Sequence, residues 1–255
     1  MPSRTSARAT ARRIRAPEAT RDKLLAAAFA EIHRKGYQAA SLDSILASAG
    51  VTKGALYHHF ADKAELGQAV VAEIIVGLTL KRWTAPLEHH PGDPIEAIQS
   101  VIRNVSAEFS LPELADLVSL GCPLNNITQE MSPLDERFRE QIAGAFALWT
   151  GAFAAAIERG RATHVVRADV DSKAVATFVV ASIEGSFGLS KATKSAKLMH
   201  ANMELLCQYL DGLRASPPRS APPRGSASSR RAATKRSPAK ARSSAAKQHP
   251  KRRTT

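Results

Sequence analysis

The stretch at 41–60, SLDSILASAGVTKGALYHHF, constrains this chain more than any other. Leu42, Ile45 and Leu46 fall on one helical face, and Ser41 offers the hydroxyl that caps its start. Ala49-Gly50-Val51 turns the corner. A second short helix comes next, with Ala55, Leu56 and Phe60 inward and Thr52, Lys53, Tyr57 and His58 left to face out. Two short amphipathic helices joined by a tight glycine corner predict a helix-turn-helix.

The surrounding pattern is helical throughout. A first helix is predicted from Ala19 to Lys35, with Leu24, Leu25, Ala28, Phe29 and Ile32 at helical spacing and Gly36 as its left-handed stop. Asp62 caps a fourth helix that runs through Leu66, Val70 and Ile74 towards Trp83, where Pro86 and PGDP at 91–94 break it. Further helices are predicted at 94–110, 112–119, 123–131, 134–160, 171–190 and 194–213. Gly160 is read as the end of the long one, and Asp169 or Asp171 as the start of the next. The last two are apolar on most faces, which calls for partners on more than one side. The expected fold is all-α.

Charge divides the chain. The net charge is +13, yet residues 1–16 carry five Arg and no acid, and residues 214–255 carry 13 Lys or Arg and no acid. Residues 17–213 therefore hold 18 basic against 23 acidic side chains. Basicity lives in the two ends, and both compositions predict disorder, because neither can bury enough apolar surface to offset chain entropy. The expected segments are a basic arm at 1–16, a helix-turn-helix head at 17–64, a larger helical domain at 65–213, and a basic tail at 214–255. No apolar run approaches the roughly 20 residues of a membrane span, and the arginines near the start precede no secretory apolar core. Two cysteines, Cys122 and Cys207, make no disulfide framework and lack zinc-site spacing. A chain of the reducing cytoplasm, associated with the nucleoid, is the expectation.

Residues 20–66 resemble the DNA-binding domain of TetR-family repressors. The resemblance is carried by a first helix ending in KGY, then SLDSILASAGV, KGALYHHF and DKAEL. Beyond 66 it is one of layout only. It implies a homodimer, paired through the last two helices at about 171–213, that presents two recognition helices to a palindromic operator in double-stranded DNA. A small-molecule effector in the larger domain would shift the fourth helix and weaken that grip. On this chain the resemblance places Thr52, Lys53 and Gly54 nearest the base edges, with Tyr57 and His58 one turn on. Ser41 would add a hydroxyl contact and Lys63 a phosphate contact. Residues 17–66 hold six basic and six acidic side chains, so placement of a few donors, not bulk charge, must do the binding. The arginines of the arm could follow the minor groove or simply solubilise it. The tail offers sequence-independent phosphate contacts.

From apolarity and position, the effector pocket is expected at Leu117, Leu120, Cys122, Ile127, Phe146, Trp149 and Phe153. Cys122 precedes Pro123 at a helix start, where the helix dipole lowers a thiol pKa. The segment GCPLNNITQEMS is similar to one in a branch of TetR-like regulators, some of which sense electrophiles or oxidants at that cysteine. Redox sensing through Cys122 is thus one alternative. A sequence-tolerant architectural DNA protein dominated by its tail is another. Cys207 reads as interface packing, and Glu130, Asp135 and Glu136 as helix-start acids. Nothing assembles an enzyme: there is no phosphate-cradling glycine loop, no HExxH and no GxSxG. His89-His90 beside PGDP reads as solvated, so neither metal nor cofactor is expected.

Overall fold

The computed structural model describes residues 4–88, 90, 92–109, 111 and 116–215, with backbone alone at 4–17, 116 and 117. The expected tail from 216 onward, His89 and the side chains of the arm and of Leu117 lie outside the described residues.

Helix α1 (Arg4–Lys35) is all the more extended for starting fifteen residues ahead of the predicted Ala19. Alanine and arginine carry high intrinsic helix propensity, and no glycine interrupts them. The helix stops where His33, Arg34 and Lys35 meet its negative end and Gly36 turns left-handed at φ +86°. Helix α2 (Leu42–Ala49) is capped by the Ser41 hydroxyl, which accepts from the Ser44 N–H at 3.4 Å. Gly50, at φ +65°, closes it. Helix α3 (Lys53–His59) starts at Thr52, whose hydroxyl accepts from the Ala55 N–H at 3.2 Å. Leu24, Ala28, Ile45, Leu56 and Phe60 are buried between these helices.

After α3 the chain enters one long helical run, α4, made of Lys63–Ala69, Val70–Ile75, Val76–Thr79, Leu80–Thr84 and Ala85–Glu88. Its second and fourth pieces are wound as π-helix. At its start Asp62 accepts from the Glu65 N–H at 2.8 Å while Glu65 reaches back to the Ala61 N–H at 2.6 Å. This reciprocal cap satisfies two otherwise orphaned donors. Pro86 does not end the run as expected. A π-wound piece, Leu80–Thr84, lies just before it.

The larger domain is built from α5 (Pro94–Glu108), α6 (Asp116–Leu120), α7 (Pro123–Met131), α8 (Glu136–Ala162), α9 (Ser172–Thr193) and α10 (Ala196–Asp211). Its centre is aromatic: Trp83 of α4 stacks on Trp149 of α8 at 4.8 Å between centroids, and Phe153 meets Trp149 edge-on. Helix α8 has the length and apolar composition of a membrane span, with charged residues at both of its ends. Its stripe of Phe138, Ile142, Ala145, Trp149, Phe153 and Ile157 is nonetheless buried in the fold. Gly160 does not end this helix. A Cβ there would come within 2.6 Å of Val166, so glycine is required by close packing. The body closes at its C-terminal end. Ala215 donates to Val165 at 2.9 Å, and Arg214 pairs with Asp93 and Asp211. Arg214, assigned by composition to the tail, thus belongs to the fold.

Head and body meet through side chains. Arg21 of α1 forks onto Glu73 of α4 at 2.6 and 2.5 Å. The Tyr37 ring lies 5.0 Å from Phe138, and a Cβ on Gly67 would sit 2.5 Å from its edge. Gly67→Ala is therefore expected to destabilise the protein by about 1–3 kcal/mol, read as a lower thermal midpoint. An unchanged midpoint would show that Tyr37 can step aside freely.

Candidate nucleic-acid interface and inner cavity

Helix α3 buries Leu56 alone and presents the rest of its surface outward. Thr52, Lys53, Gly54, Tyr57 and His58 are all exposed and succeed one another around the same side of the helix. The Lys53 ammonium lies 6.0 Å from the centroid of the Tyr57 ring, which keeps both side chains together. Beside Gly54 only the Thr52 hydroxyl comes near, so the backbone can approach another surface closely. This is an apolar-backed face of hydroxyl, amine, phenol and imidazole donors with no carboxylate in it. Two further expected contacts have partners inside the head. Ser41 is partly buried, and its hydroxyl oxygen accepts the cap bond of α2. Lys63 donates to the Gln38 carbonyl at 3.1 Å and sits 4.9 Å above the Tyr37 ring, so one of its hydrogens is committed within the head.

Further in, a cavity of about 190 Å³ opens between head and body. Phe29 and His33 of α1 form one wall, Thr79, Arg82 and Trp83 of α4 another, and Phe109, Cys122 and Phe187 close it. His33 Nε2 lies 2.9 Å from the Gly121 carbonyl. Burial, with the Lys191 charge, holds this imidazole below its usual pKa even though the Gly121 contact opposes the shift.

Residues 24–70 match the family model "Bacterial regulatory proteins, tetR family", and residues 94–204 match "Transcriptional regulator LmrA/YxaF-like, C-terminal domain". The HTH-type transcriptional regulator LmrA of Bacillus subtilis (strain 168) is 31% identical over 183 residues, covering 71% of this chain and 92% of that protein. The chain belongs to the TetR family of transcriptional regulators. A second relative, the HTH-type transcriptional repressor DhaR of Mycobacterium sp. (strain GP1), is 28% identical over 69% of this chain and 81% of its own length. The fold is shared with the crystal structure of a TetR regulator from Chloroflexus aurantiacus J-10-FL, with a TM-score of 0.71 at 23% identity over 79% of this chain and 100% of that one. These relatives regulate transcription and are not enzymes.

In this TetR-family chain the residues expected to line the pocket mostly fill the core instead. Ile127, Trp149 and Phe153 are fully buried, and Phe146 packs parallel to Trp149 at 6.4 Å. Leu120 is half-buried and lies outside the cavity wall. Of the expected set, among the described side chains, Cys122 alone lines the cavity. The cavity residues that sequence reasoning missed, Phe29 and His33, sit on the DNA-binding domain's own first helix, where a helical stripe reads only as core.

Cys122 does start a helix, but its thiol makes no capping bond and is only 8% exposed. Burial and the neighbouring Glu184 carboxylate push the thiol well above its ordinary value, which overturns the expectation of a dipole-activated thiolate. Cys207 is likewise no interface residue. It is fully buried against α5, where Gln99 donates to its carbonyl at 2.8 Å. His90 accepts from the Gly92 N–H at 3.2 Å, and no metal-binding group of side chains occurs among the described residues.

Glu184 was not singled out by the sequence. It is 7% exposed, and burial raises its pKa to about 7 while the Cys122 thiol beside it opposes that shift. An acid whose pKa is raised on folding costs stability as pH climbs from its unfolded value through its folded one. Removing that charge should therefore help at high pH only. Glu184→Gln is expected to gain up to about 3 kcal/mol over the native protein at pH 8, shrinking towards nothing near pH 5. Thermal midpoints across that range decide it, and a pH-independent difference would sink the account.

Proposed function

We propose that this regulator is a homodimeric, sequence-specific repressor held on a palindromic operator and released by a small molecule. The observation that carries the reading is the exposed α3 face, where Thr52, Lys53, Gly54, Tyr57 and His58 stand clear of the head. A helix of this kind places its N-terminal side chains against base edges in the major groove. Dimerisation is supported by the apolar surface that α9 and α10 leave open. Phe178, Leu189, Leu205 and Tyr209 are 51%, 54%, 61% and 39% exposed. They line a shallow groove that also holds Gly185. Apolar side chains so clustered on one surface favour a protein partner. Release is assigned to the cavity beside Phe29 and His33, where a ligand that prefers one head position shifts the balance between bound and free. The protein works at the nucleoid in the cytoplasm, and the twelve cations of the tail beyond Arg214 add salt-sensitive phosphate contacts without choosing sequence. The buried, disfavoured thiolate of Cys122 argues against a covalent input.

Selection from random duplex DNA at moderately high salt tests this reading, with the full chain run beside residues 1–217. Both are expected to recover one palindrome, and Lys53→Ala is expected to lose about tenfold in affinity for it, in line with a lost base or phosphate contact. Retention of DNA by the full chain alone, with no sequence enriched, would overturn the reading in favour of tail-driven binding. The dimer is tested separately. Phe178→Asp with Leu205→Asp should yield monomers in sedimentation with the helical content intact, and a persistent dimer would place the interface elsewhere.

A further inference from the structure

Glu130 stands on the last turn of α7, where the sequence pattern reads a helix-start acid, and its carboxylate reaches across to the head. One oxygen accepts the Tyr37 N–H at 2.7 Å and the other the Gln38 N–H at 2.7 Å. Two consecutive amides on two oxygens of one carboxylate form a charge-assisted clamp with a defined direction. The clamped turn directly precedes Ser41, the cap of α2, so its attitude sets where α2 starts and how α3 is aimed. The fit is close: a Cβ on Gly36 would lie 2.9 Å from the Glu130 carboxylate. Lys63 holds the same turn from the other side through the Gln38 carbonyl.

The opposite end of α7 is equally engaged. Cys122 and Pro123 wall the cavity, and the Gly121 carbonyl just before them meets His33 of α1. A nine-residue helix therefore touches the head at both of its ends, once beside the cavity and once at the turn that aims the DNA-reading helices. We propose that Glu130 is the positioning residue through which α7 sets the attitude of the DNA-binding head. In this arrangement α7 is a rod that carries displacement at the cavity to the turn at 36–38. The inference rests on the operator-binding and cavity readings above, and it adds the route between them. Glu130 contacts no DNA. It acts through Tyr37 and Gln38.

The test uses full-length protein and the duplex recovered by selection. Glu130→Ala is expected to weaken operator binding by about tenfold or more, and Glu130→Gln, which keeps one acceptor, by less. Thermal midpoints should stay close to native for both, while amide hydrogen exchange at Tyr37 and Gln38 quickens in the alanine variant. Cys122→Leu, which adds bulk at the cavity end of the rod, serves as a stand-in for a ligand. It should weaken binding in the native background and add little in the Glu130→Ala background, the non-additivity expected of coupled sites. Native affinity in Glu130→Ala, unchanged exchange at the two amides, or fully multiplicative effects in the double variant would each overturn the proposal. So would affinity losses that track falling thermal midpoints, since Glu130 would then be merely structural. If selection yields no duplex, the operator reading has failed, while the exchange measurement, which needs no DNA, still decides whether Glu130 holds the turn.

Discussion

The seam where α1 and the first turns of α4 meet α7 and α8 fixes how the helix-turn-helix head sits on the larger domain. Tyr37 packs there on Phe138 with Gly67 giving way beneath it, Arg21 ties α1 to Glu73, and Glu130 grips the turn between α1 and α2. The head is small, and its buried set of Leu24, Ala28, Ile45, Leu56 and Phe60 is modest. Its position relative to the body therefore depends on a few directional contacts in addition to apolar area. Such contacts have discrete arrangements, which is what an equilibrium between binding and released states requires.

The cavity lies along the same seam. A ligand bound there touches Phe29 and His33, residues of the DNA-binding domain itself, as well as Trp83 and Thr79 on α4. The π-wound pieces of α4 flank this site, and local widening of a helix is frequent where function needs an irregular wall. The proposed reading and release functions thus fall on adjoining surfaces of the same helices, and α7 spans the distance between the cavity and the turn at 36–38.

Local chemistry was readily legible in the sequence. The caps at Ser41 and Asp62, the left-handed Gly36 and the corner at Gly50 appear where the pattern places them, because each is settled by hydrogen bonds within a few residues. The outward face of α3 comes from the same helical period. Readings that depended on distant partners fared differently. Gly160 resembled a helix stop but answers to Val166 across a loop, and Glu130 resembled a helix-start acid but answers to a turn more than ninety residues away. Phe146, Trp149 and Phe153 read as pocket walls because apolar side chains look alike whether they fill a core or border a void.

Cys122 and Glu184 show the same divide in electrostatics. A helix start predicts a lowered thiol pKa, yet burial beside a buried carboxylate outweighs the dipole and drives both groups towards their neutral forms. From residue order alone come the all-helical fold, the helix-turn-helix with its exposed donors, and membership of a family of regulators. The first two depend on periodicity and on contacts three or four residues apart, and the family on the likeness of the motifs at 20–66 to those of known regulators. The location of the cavity, the protonation of its neighbours and the clamp on the head were decided only by tertiary packing. Each requires side chains far apart in the chain to converge, and no local pattern encodes that convergence.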